Sequence, residues 1–193
     1  MSELYMMRHG ETLFNVLRRK QGWCDSPLTE RGQEQARRAG AWLREQGIGF
    51  DHAYSSPSER ACDTLELACP GLPYERVKGL KEWYFGTFEG LTEDTNPPLP
   101  YGDFYVPFGG ESEDAFRERA YATVLELVRR PGHERVLVVT HGAFEAQFPR
   151  AFGADFRDLS GDKRVGNCGI AIYDVDLSRE QPFTLRAVEN PNA

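Results

Sequence analysis

The sequence predicts an α/β fold, a mostly parallel central sheet flanked by helices on both faces, and three observations predict it. Short β-forming runs alternate with amphipathic helical stretches along the chain, and parallel strands need such crossovers. Two of the runs, "YMMRHG" and "VVTHG", end alike in a histidine and a glycine. The length, 193 residues, suits one domain (1–193) whose core needs no staple from disulfide or metal.

The elements follow in order. Leu4 to Met7 reads as a buried strand that stops abruptly at Arg8-His9-Gly10, so the chain leaves the core there for a site. After a polar loop to Pro27, Ala36, Ala39, Gly40 and Leu43 recur at helical spacing between a capping Thr29 and a terminal Gly47. "FDHAYSS" is a second strand. "SPSERACDTLELAC" opens a helix with Ser56 as N-cap, Pro57 in the first position and Glu59 closing a capping box. "YERVKGL" reads as a third short strand. The next helix places Phe116, Ala120, Val124 and Leu127 on one face before Pro131-Gly132 stops it. "RVLVVT" is a strand leading into Thr140-His141-Gly142 and a short helix ended or kinked by Pro149, and "CGIAIYDV" and "FTLRAVE" complete the sheet.

Composition narrows the function. Lys and Arg number 23 against 30 acids, a formal charge of −7, so nucleic acid or an anionic membrane meets general repulsion. Any anion site must be local. Cys24, Cys62, Cys69 and Cys168 form no C-x-x-C pair, which suits reduced thiols in a cytoplasm. The start has no secretory pattern, and no run approaches the roughly 18 apolar residues of a membrane span. The expected protein is a cytoplasmic monomer or homodimer with neither a nucleic-acid nor a membrane partner.

In open α/β sheets ligands bind outside the carboxyl ends of the strands, so His9 and His141 are expected to face one another across one pocket. Arg60, in the first turn of the helix after the second strand, offers a further cation, and the helix N-terminus adds its own N–H groups. Two arginines and two histidines are an excessive cage for a single carboxylate charge. A phosphoryl group fits better.

"RHGET", "GWCDSPLTERG", "YSSPSERACDT", "LKEWYFGTFEG" and "VVTHG" resemble, in order and spacing, the histidine phosphatase superfamily, which includes the cofactor-dependent phosphoglycerate mutases. The resemblance covers almost the whole chain. It implies that His9 is the nucleophile that becomes phosphorylated, with Arg8, Arg60 and His141 gripping the phosphoryl oxygens. It places Asn15, Gln21, Gly22 and Gly142 near the substrate and makes Glu82 the general acid. The chemistry agrees, since neighbouring guanidiniums lower an imidazole from its usual pKa of about 6.5 and keep its nitrogen free to attack. No metal or cofactor is called for, because the arginines supply the charge clamp. Two assignments have rivals: Arg60 could pair on the helix surface with Glu59 or Asp63, and Glu89 or Glu93 could do the work of Glu82. His52 and His133 read as surface or structural residues without supporting neighbours, and they give no zinc site with the scattered cysteines.

The mutases of this superfamily carry a long insertion after the general acid and a C-terminal tail over the site. Here only residues 91–111 intervene, and little follows the last strand. That departure favours hydrolysis, since a mutase must shield its phosphoenzyme from water. The insert carries Tyr101, Phe104, Tyr105 and Phe108, which suit either a lid that shapes the pocket or plain loop-to-core anchors. The expected protein is a metal-independent phosphomonoester hydrolase of the histidine acid phosphatase type, working through a phosphohistidine, and its expected partner is a small phosphorylated substrate. A cofactor-dependent phosphoglycerate mutase and a non-catalytic phospholigand-binding protein are the alternatives.

Overall fold

A computed structural model of the chain describes residues 2–155 and 165–193. Six strands form one sheet in the order β3-β2-β4-β1-β5-β6. They are β1 (Ser2–Arg8), β2 (His52–Ser55), β3 (Glu75–Arg76), β4 (Arg135–Thr140), β5 (Ile170–Val175) and β6 (Phe183–Glu189). β3, β2, β4 and β1 pair in parallel, whereas β5 pairs antiparallel with both β1 and β6. The sheet is thus mostly parallel, as expected.

Alternation along β1 divides the core. Leu4 and Met6 point to one face with Val136 and Val138 of β4; Tyr5 and Met7 point to the other with Leu137 and Val139. Helices α2 (Glu30–Glu45) and α3 (Glu59–Ala68) cover the second face through Ala36, Ala39, Leu43, Ala61 and Leu65. Helices α4 (Glu113–Val128) and α5 (Gly142–Gln147) cover the first through Phe116, Ala120, Val124, Leu127 and Phe144. A four-residue helix, α1 (Leu13–Val16), lies in the loop after β1.

Thr29 caps α2 by accepting from Gly32 N, and Gly47 follows the helix at φ +67°, the left-handed turn that glycine permits. Gly40 lets α2 and α3 touch: a Cβ there would stand 2.0 Å from the carbonyl oxygen of Ala68.

Two local expectations need correction. The N-cap of α3 is Ser58, not Ser56, and it makes no side-chain cap bond. Asp25 caps the helix from outside by accepting from Glu59 N at 2.6 Å, while the Ser56 hydroxyl is taken by His141. "YERVKGL" contributes only the two residues of β3, after which the chain turns into a 3₁₀ segment at Lys78–Leu80.

Candidate active site

β1 and β4 are neighbours in register, Arg8 beside Thr140, and His9 N donates to Thr140 O at 3.0 Å. Both strands therefore release their histidines at the same level. The rings of His9 and His141 meet edge to face with centroids 5.4 Å apart.

His9 is buried, and its Nδ1 lies 2.8 Å from Gly10 O. A carbonyl oxygen can only accept, so Nδ1 carries the ring proton and Nε2 keeps its lone pair. Burial, then Arg60, then Arg8 hold this imidazole well below its ordinary range, against a smaller pull from the Gly10 carbonyl. The backbone around it is fixed. Gly10 N donates to Thr64 of α3, and Asn167 donates to His9 O. A Cβ on Gly10 would stand 2.5 Å from Gly32 O, so the glycine of "RHG" is required by the first turn of α2.

Arg60 has no exposed surface. Its Nη1 donates to Asp25 Oδ1 at 2.8 Å and to Cys24 O, and its Nη2 donates to Gln21 O and Gly22 O. Asp25 is thus its partner, rather than Glu59 or Asp63. Arg8 donates from Nη1 to Val165 O and lies against Gly142, where a Cβ would come within 3.1 Å of Cζ and Nε. Gly142 makes room for the guanidinium. Three buried nitrogens in this cage have no protein partner among the described residues: Arg8 Nε, Arg60 Nε and His141 Nδ1. Buried donors left unpaired are costly, and an entering oxyanion satisfies such groups.

His141 Nε2 is 2.7 Å from Ser56 Oγ. Burial first, then Arg60 and His9, lowers this imidazole well below its ordinary range. Glu82 is also buried; its Oε1 accepts from Trp83 N and Phe144 N, and its Oε2 from Ala143 N. Its carboxyl therefore caps α5, whose own N-cap residue His141 makes no side-chain cap bond. Burial raises the Glu82 pKa, opposed by those N–H donors and by Arg60 and Arg8. Oε1 is filled by two donors. A proton on this acid therefore belongs on Oε2.

Of the remaining sequence-predicted residues, Gln21 and Gly22 bond to the protein itself. Gln21 accepts from Thr12 and donates to Ser26 and Asp25, and Gly22 donates to Glu89 while its carbonyl serves Arg60. Asn15 Oδ1 accepts from Thr12 N and Asn167, which leaves its Nδ2 as the group a ligand could meet. Residues 91–111 pack as an aromatic cluster: Tyr105 is fully buried, with Tyr101, Phe104 and Phe88 set edge-on around it. His52 and His133 stack on each other at 3.6 Å, so they do have neighbours after all, with Tyr54 bonded to His133.

Sequence reasoning missed several supporting groups. Glu89, read above as a rival acid, accepts from Gly22, Trp23, Cys24 and Phe85 N–H groups. It clamps the loop whose carbonyls hold Arg60. Arg119 of α4 donates to the carbonyls of Gly79, Lys81 and Glu82 and pairs with Glu111 at 2.7 Å, fixing the segment that presents Glu82. A carboxylate directly before glycine in "FEG" and an aspartate in "GWCDSP" were the available signals for Glu89 and Asp25. Nothing local marked Arg119.

The fold defines a class, α/β proteins with a mostly parallel sheet, and it gathers this cage of buried cations at the carboxyl ends of adjacent parallel strands, where such sheets bind ligands. The chain belongs to the histidine phosphatase superfamily (branch 1), whose profile matches residues 4–187. It is 37% identical over 156 residues to a 2,3-bisphosphoglycerate-dependent phosphoglycerate mutase of Methylorubrum populi, covering 72% of this chain and 73% of that protein. Among solved structures it resembles Bacillus stearothermophilus YhfR, with TM-score 0.81, 33% identity and coverage of 96% and 95% of the two chains. It also resembles a phosphoserine phosphatase of Entamoeba histolytica in complex with 3-phosphoglyceric acid, with TM-score 0.78, 28% identity and coverage of 98% and 97%. Similar proteins thus carry the names of both phosphatases and mutases. Among the described residues no helix is long and apolar enough to cross a membrane.

Proposed function

We propose that the protein is a metal-independent phosphomonoesterase that transfers the phosphoryl group of a small metabolite to His9 and then to water. The observation that carries this reading is the His9 tautomer: Nδ1 is committed to Gly10 O, so Nε2 is free to attack. Attack forms the Nε2–P bond and breaks the P–O bond to the alcohol, which takes the proton of Glu82 Oε2. Water then attacks phosphorus, gives a proton to Glu82, and the N–P bond breaks with release of phosphate. Arg8 and Arg60 lend Nε–H groups to the phosphoryl oxygens and oppose the charge that grows on them. If the Ser56 hydroxyl donates to His141 Nε2, the His141 proton sits on Nδ1 and adds another donor. A mere phospholigand binder needs these cations but has no use for a buried proton-carrying acid. The packed aromatics of residues 91–111 serve in this reading as a wall of the alcohol pocket.

Phosphoglycerate mutase is the second reading, favoured by the name of the Methylorubrum relative. A panel of phosphorylated metabolites assayed for phosphate release, with 3-phosphoglycerate and a trace of 2,3-bisphosphoglycerate in parallel, separates them. Phosphate release at least as fast as formation of the 2-isomer is expected. Isomer formation faster by orders of magnitude would promote the mutase.

A further inference from the structure

Glu145 lies in the first turn of α5, with no exposed surface and with neither carboxyl oxygen bonded among the described residues. Among the described residues, the charges that act on it are those of Arg8 of β1 and of Glu82 in the α5-capping segment, and its own charge acts on Cys168 before β5 and Tyr173 on β5. Two of these neighbours also leave buried polar atoms unbonded, Arg8 Nε and Tyr173 Oη. Arg8 has no carboxylate partner among the described residues, and its one bond is to Val165 O. Helix α5 lies against that guanidinium at Gly142, where a Cβ would come within 3.1 Å of its Cζ and Nε, and Glu145 sits in the same first turn, so the charge on this carboxyl bears on how much of the cation's charge is available.

We propose that Glu145 is a positioning residue that acts through Arg8. As the neutral acid it leaves the Arg8 charge to the phosphoryl group; as the carboxylate, its proton lost to solvent, it takes that charge back. The inference rests on the phosphoryl-transfer reading above. An unbonded, unexposed carboxylate is poorly tolerated, so the neutral form is the resting one. Burial keeps this acid well above the usual carboxylate range, helped by the Glu82 charge and opposed by Arg8. Tyr173 is pushed well above its ordinary value and Cys168 up to about 12, both chiefly by burial, so neither supplies charge near neutral pH. Glu82 titrates too, which is why the test compares variants at position 145 alone.

The test is inhibition of p-nitrophenyl phosphate hydrolysis by sulfate, whose charge does not change over the working range, measured from acidic to alkaline pH. Wild-type protein is compared with Glu145→Gln, which keeps the shape, and Glu145→Leu, which removes the polar group. Dividing variant by wild-type inhibition constants cancels the titrations of His9 and Glu82. Sulfate binding by wild type should weaken relative to both variants as pH rises, approaching about tenfold per pH unit once Glu145 ionises. A packing role alone would shift stability and leave that ratio flat. A flat ratio in an enzyme that turns over overturns this inference and leaves the proposed function standing. Wild-type protein that neither hydrolyses phosphomonoesters nor binds sulfate overturns both.

Discussion

The proposed reaction sets opposite protonation needs on His9 and Glu82, and burial suits both. Burial disfavours the proton on an imidazole and favours it on a carboxyl, so the same buried setting suits both the nucleophile and the acid of the proposed reaction. The first step requires bare His9 and protonated Glu82. Its rate should therefore rise as pH climbs through the lowered His9 pKa and fall as pH passes the raised Glu82 pKa. In kcat at saturating substrate, where the binding effect assigned to Glu145 no longer limits, Glu82→Gln should lose the falling limb. With alkyl phosphates it should also lose about 10²–10⁴-fold in turnover, whereas p-nitrophenyl phosphate, whose leaving group needs no acid, should give a burst of about one product per site and then slow release. An unchanged alkaline limb in the variant would remove Glu82 from the acid role.

At the scale of elements, each catalytic candidate is delivered by a different device: β1 for His9, β4 for His141, α3 for Arg60, and the open N-terminus of α5 for Glu82. Glu89 joins two of these devices by gathering four N–H groups from the Gly22–Cys24 loop and Phe85. Glu89→Gln replaces an acceptor-only group with one that can satisfy only part of that set. Stability should fall by about 1–3 kcal/mol and KM should rise, while the alkaline limb assigned to Glu82 stays. Loss of that limb instead would move the acid role to Glu89. The strand-ending histidines were legible in the sequence because a β-forming run broken by His-Gly has few other readings. The cap of α3 was not, since "SPSE" offers two serines and His141, distant in sequence, decides which is free. Nothing in "HGAFEAQF" marked Glu145 as buried. Only the crossover that places α5 beside Arg8 and Tyr173 buries it.

For the molecule as a whole, a formal charge of −7 coexists with a pocket of buried cations because the positive groups there are few and enclosed, and because Arg60 keeps Asp25 beside it. The alternating strands and helices, and hence both faces of the sheet, were readable from periodicity. The antiparallel attachment of β5 to β1 was not, since pairing direction leaves no mark in a strand as buried as β5, whereas the link 176–182, too short for a crossover, was the available signal for the antiparallel β5–β6 pair. One dependence runs through the entire α2/α3 layer. Gly40→Ala would drive a Cβ into the Ala68 backbone, which cannot rotate away, and should lower the unfolding free energy by about 1–3 kcal/mol in urea titrations. A neutral result would mean that the two helices are not pressed together at that point.

The central claim is that phosphorus becomes bonded to His9. Brief reaction with a labelled phosphomonoester, rapid quenching and peptide mapping tests it most directly. The account expects an acid-labile, base-stable label on the peptide that contains His9, and none in His9→Ala. A label on a serine or on another histidine, or undiminished turnover in His9→Ala, would contradict it.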